Sequence, residues 1–131
     1  MRTRIGFVVG LGLLACAGCG KKEKSTAELL GDLKAGPDVD RIVAVRLLPQ
    51  KSRDPAQLVP ALIEALKDKD HAVRQSAALA LGSFGEQAKD AIPALKAAQH
   101  DRDARVREAA GKALARIDPS LAPAKAPPGA H

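Results

Sequence analysis

The sequence predicts an all-α fold, a short α-solenoid of about three helical hairpins, on three observations. Arg41, Arg74 and Arg107 stand 33 residues apart. The same period carries Leu29, Leu62 and Leu95, then Leu48, Leu81 and Leu114, then Ala44, Ala77 and Ala110. Within each period the apolar residues recur at helical spacing, and no strand pattern is present. Repetition at this length means one supersecondary unit stacked on copies of itself.

Residues 1–15 read as an export signal. Arg2 and Arg4 give a basic start, and the apolar run from Ile5 to Leu14 is too short to span a bilayer but has the proportions of a signal-peptide core. Residues 16–24 follow as a tether holding Cys16, Cys19 and the basic Lys21, Lys22 and Lys24. Those lysines fit an anionic membrane surface or, more simply, a solvated linker.

The repeat domain is placed at residues 25–118. In the first unit, about 25–50, Leu29, Leu30 and Leu33 form a short helix, Gly36-Pro37 replaces a turn, and Val43, Ala44, Leu47 and Leu48 continue inward. The second unit, 54–85, is the clearest. Asp54-Pro55 is a helix start, a capping Asp followed by Pro at the first helical position. Leu58, Val59, Leu62, Ile63 and Leu66 make one apolar face. Lys67-Asp68-Lys69-Asp70 is a polar turn whose last Asp caps a helix with Val73, Ala77, Ala80, Leu81 and Phe84 inward, closed by Gly82 and Gly85. The third unit, 86–118, repeats the plan with Ile92, Leu95 and Ala98, then Asp103 as cap and Val106, Ala110, Leu114 and Ile117 inward. Residues 119–131, rich in Pro and Ala, read as a disordered tail.

Two Phe and no Trp or Tyr leave a core of Leu, Ile, Val and much Ala. Small side chains let helices approach closely but bury little area each, so modest stability is expected. The formal charge is +6, from 21 basic and 15 acidic side chains; without Arg2 and Arg4 it is 19 against 15, or +4.

The segment Leu13-Leu14-Ala15-Cys16-Ala17-Gly18-Cys19 resembles the lipobox of bacterial lipoproteins. Counted from Cys16, Leu13 takes the third position back and Ala15 the cleavage point. Counted from Cys19, Ala17 and Gly18 fit but a Cys stands where Leu is expected. Cys16 is favoured as the lipidated residue, with Cys19 as the alternative, and a plain cleaved signal releasing a secreted protein as the competitor. The resemblance implies a lipid anchor in the envelope. Because Ala17 (or Gly20) rather than Asp follows the Cys, it further implies the outer membrane, facing the periplasm.

Pro60, Asp68, Val73 and Arg74, and again Pro93, Asp101, Val106 and Arg107, resemble the signature of HEAT repeats. The phrasing is especially similar to the short repeats of phycobilisome lyases. The first unit departs, with Ala35 in the Asp slot and Asp40 in the Val slot, as a divergent terminal cap. The resemblance implies that the turn Asp and second-helix Arg form a structural ladder of charge-assisted hydrogen bonds between and within repeats, a role that Asp68 with Arg74 and Asp101 with Arg107, each six residues apart, fit. Arg41, without an Asp in its own unit, reads as the freest of the three. It also implies that the second helices line the concave, partner-binding side. There Ile42, Gln75 and Glu108 form one row, Arg46, Leu79 and Lys112 another, with Val45, Ala78 and Gly111 between. Ile42, Val45 and Leu79 suggest a small docking groove with a basic rim, although a tight stack would partly bury these rows.

No catalytic residue, metal ligand set or cofactor site is expected. His71 and His100 sit near turns away from cysteines and paired carboxylates, and no phosphate loop or nucleophile elbow is present. Nucleic-acid binding is disfavoured, since base capture uses aromatic stacking and Trp and Tyr are absent. The resulting expectation is a membrane-anchored, non-catalytic scaffold for an unknown protein partner, with homodimerisation possible at the ends of so short an array. The alternatives are a chromophore-lyase-like enzyme or accessory factor and a purely structural envelope protein.

Overall fold

A computed structural model describes residues 23–122. Residues 1–15, read as an export signal, Cys16 and Cys19, and residues 123–131 therefore lie outside the described residues. Six α-helices and two 3-10 segments follow one another: α1 (Thr26–Ala35), α2 (Asp38–Lys51), α3 (Pro55–Ala65), α4 (His71–Ser83), a 3-10 segment (Gly85–Ala91), α5 (Ile92–Ala98), α6 (Ala104–Ile117) and a closing 3-10 turn (Pro119–Leu121). No strand occurs among the described residues.

Local chemistry starts each helix. Ser25 and Glu28 form a reciprocal capping box on α1, the Ser25 hydroxyl accepting from the Glu28 amide at 3.2 Å and the Glu28 carboxylate from the Ser25 amide at 2.6 Å. Asp54, Asp70 and Asp103 cap α3, α4 and α6, each accepting from the amide two residues on, at 3.1, 2.8 and 2.8 Å. Between α1 and α2 there is no such cap. Pro37 precedes α2 directly, without a side-chain cap.

The hairpins α1/α2, α3/α4 and α5/α6 stack so that α2, α4 and α6 pack side by side in one layer, while α1 and α3 barely touch. The core runs between the layers. Leu29, Leu48, Leu58, Leu62, Leu81 and Leu95 are all wholly buried, each contributing about 1.5–3 kcal/mol of burial.

Several details depart from the sequence-based expectation. Gly82 does not close α4 but lies within it, buried against α6; a Cβ there would stand 3.0 Å from Ala113 Cα. The chain reverses at Gly85, whose φ of +56° favours glycine. The first helix of the third unit is split. Without an Asp-Pro start, the chain runs as 3-10 through Gly85–Ala91, with a non-helical Ala88, and becomes regular only at α5, where Pro93 occupies the first turn. Val43 is not core but 42 % exposed. Its counterparts Ser76 and Ala109 are buried on helices that pack against a preceding second helix, and among the described residues no such helix precedes α2. Pro119–Leu121, assigned to the tail, turns back under an Asp118 cap, and Leu121 packs on the core.

Candidate functional site

Arg41, Arg74 and Arg107 are each the fourth residue of their helices. From there the long side chain reaches the preceding loop with one nitrogen. Arg74 Nη1 donates to the carbonyls of Asp68 and Lys69 at 2.8 and 3.1 Å. Its other edge points forward, where Nε and Nη2 donate to the two carboxylate oxygens of Asp101 at 2.8 and 3.0 Å. Arg41 does the same one unit earlier, with Nη1 on the Gly36 carbonyl at 2.9 Å and a fork onto Asp68 at 2.8 and 3.0 Å.

The ladder expected between and within repeats thus has its carboxylate forks between units and its carbonyl contacts within them. Asp68 meets Arg74 only through its backbone carbonyl, and Asp101 meets Arg107 likewise, at 2.8 Å each. The carboxylates belong to the arginines 27 residues upstream. Arg41, read as the freest arginine, is one of the two buried ones and also pairs with Asp38 at 2.9 Å. The exposed member is Arg107, and no further unit follows it among the described residues.

Each ladder carboxylate also holds its own turn, accepting from the amide two residues on at 2.8 Å, Asp70 for Asp68 and Asp103 for Asp101. The Arg74 fork holds the Asp101 carboxyl below the usual carboxylate range, against the penalty of burial and with help from the Asp103 amide. For Asp68, burial works to raise the pKa, but the Arg41 fork and the Asp70 amide outweigh it and the carboxyl again lies low.

These contacts, the turn cap and the 33-residue stacking are the architecture of a known repeat. The sequence profile of HEAT repeats matches residues 26–117. The chain belongs to the HEAT-repeat family. No curated protein matches the sequence. HEAT repeats in general mediate protein–protein interaction and form non-catalytic scaffolds.

On the HEAT second-helix layer, the expected three-row groove is divided. Two of the middle row are at helix–helix contacts rather than the surface, since Val45 and Ala78 are fully buried, while Gly111, buried as well, lies at the floor of a cleft beyond α6. Val45 thus contributes packing, and Ile42 is half-buried against the core. What remains open between α2 and α4 is a shallow groove with Leu79, 41 % exposed, beside Arg46, Gln50 and Gln75. Glu108 and Lys112 are exposed on α6, paired with each other at 2.6 Å. They border a separate cleft beyond that helix, with Arg107 and Ala115. The sequence reading missed Val39, 70 % exposed on α2, although a Val in the slot that Ala72 and Arg105 occupy was a visible signal. Among the described residues no cluster of His, Cys, Asp and Glu is arranged to hold a metal ion, and no helix is long and apolar enough to cross a membrane.

Proposed function

We propose that this HEAT-repeat chain is a lipid-anchored scaffold of the bacterial envelope that binds a protein partner without catalysing a reaction. The observation that carries the binding role is Leu79, an apolar side chain left 41 % exposed in a groove that Pro49 and Ala80 line with the polar Arg46, Gln50 and Gln75. Solvated helix faces do not need a leucine there, and an apolar spot bordered by polar side chains suits a docking anchor. The anchor rests on Leu13-Leu14-Ala15-Cys16, with Ala17 pointing to the outer membrane on its periplasmic side. Each acyl methylene buried in the bilayer contributes about 0.8 kcal/mol, so several chains on one Cys would hold the domain firmly. Anchoring raises local concentration, and a weak groove then suffices to retain a partner.

Photo-crosslinking in cells from position 79, with position 89 in the other layer as control, tests the scaffold. A discrete adduct from 79 alone supports it, and equal labelling from both removes the groove. Metabolic labelling with a clickable fatty acid tests the anchor. Incorporation should be lost in Cys16→Ser and kept in Cys19→Ser; incorporation in neither the wild type nor the variants would discard lipidation.

A further inference from the structure

Two of the three arginine forks are filled and the third is not. Arg107 turns Nη1 back to the carbonyls of Asp101 and Arg102 at 2.8 and 3.2 Å, as Arg74 does to Asp68 and Lys69. Its Nε and Nη2 edge is thereby held in the orientation that receives a carboxylate elsewhere. Among the described residues no carboxylate pairs with it. Residues 1–22 and 123–131 contain neither Asp nor Glu. No Asp or Glu outside the described residues is therefore available to this edge within these 131 residues.

The surface around the fork has the shape of the covered ones. Gly111 and Ala115 stand on α6 where Ala78 and Gly82 stand on α4, and those two are buried under the next hairpin. With Arg107, Ala122 and the paired Glu108 and Lys112 they line the cleft beyond α6. We propose that this end of the array binds a helical hairpin of a partner protein whose turn carries an aspartate, its carboxylate taking Arg107 as Asp101 takes Arg74. The proposal rests on the scaffold reading and names the chemistry of one partner. A second copy of this chain fits poorly, because its first unit offers Ala35 in the aspartate slot. Residues 123–131 offer Lys125 and no acidic side chain.

The probe is a fluorescent synthetic peptide of residues 86–118, the hairpin that fills the Arg74 fork, titrated against the full chain by anisotropy. Saturable binding is expected. It should weaken about tenfold, the loss of one bidentate charge-assisted pair, when the chain carries Arg107→Gln or the peptide carries Asp101→Asn. Arg107→Lys should restore only part. Absence of saturable binding, or equal binding to the wild type and Arg107→Gln, overturns the proposal. In cells, crosslinkers at 115 and 79 separate it from the scaffold reading. An adduct with another protein at 115 that disappears with Arg107→Gln supports the end face. An adduct from 79 but none from 115 sinks the end face alone, and none from either sinks both. Adducts of 115 with a second copy or with residues 123–131 also overturn it.

Discussion

Arg74 and Asp101, 27 residues apart, share two hydrogen bonds of 2.8 and 3.0 Å across a repeat boundary, with only 7 % and 13 % of their side chains exposed. Arg107 occupies the equivalent place with no such partner. The two arginines therefore make an internal control, one slot inside a boundary and one outside.

Arg74→Gln should destabilise the domain by about 2 kcal/mol, because it strips a desolvated carboxylate of its charge partner. Arg107→Gln should change stability by no more than about 0.5 kcal/mol. Urea unfolding of both variants checks this, and the Arg74→Gln/Asp101→Asn pair should cost less than the sum of its parts. Strict additivity would show the ladder to be idle.

Acid should weaken the same boundaries. Asp68 and Asp101 have native pKa values below the ordinary carboxylate value of about 4. Their contribution is thus complete above that value and drains away as pH falls through the lowered native ones. Melting temperature measured from pH 7 down to pH 2 should be level in this respect until about pH 4 and then fall. The Asp68→Asn/Asp101→Asn double variant, less stable at neutral pH, should show a shallower acid limb.

Gly82 sets how closely α4 and α6 approach. A Cβ there meets Ala113 Cα at 3.0 Å and Ala113 Cβ at 3.2 Å. Gly82→Val forces a branched side chain into that contact and should cost about 2–3 kcal/mol despite the gain in helix propensity. Adding Ala113→Gly should return part of the loss, which a double-mutant cycle by thermal unfolding would read directly.

Leu81 and Leu79, two residues apart on one helix, should respond oppositely. Leu81 is wholly buried, and Leu81→Ala should cost about 2–5 kcal/mol through the cavity it leaves. Leu79→Ser should leave the unfolding midpoint nearly unchanged while abolishing crosslinks from position 75. Loss of stability in Leu79→Ser would mark the groove as structural.

The hairpins, their aspartate caps and their apolar faces were legible because helix periodicity and capping are local. Asp54, Asp70 and Asp103 each cap the helix that their spacing indicated. The ladder was legible only in its residue types. With a period of 33, an Asp six residues before one Arg is also 27 residues after another, so spacing cannot choose between them. The choice is made by helix layering, which turns Nη1 onto the loop and leaves the fork to the next unit. Similarly, Gly82 looked like a helix end because glycine commonly is one, whereas here close packing against Ala113 demanded it. Val45 and Leu79 shared an outward assignment until the second-helix contacts buried one and exposed the other.

The forward reach of every arginine also gives the array a rule for changing length. A 33-residue copy inserted after Gly85 would offer an aspartate to Arg74 and a new arginine to Asp101, so every fork between units would still be filled. A copy placed ahead of α1 would instead send its arginine to Ala35, where nothing accepts it. The chain can thus lengthen from the middle without stranding a charge, and its front end is closed to growth by a single missing carboxylate.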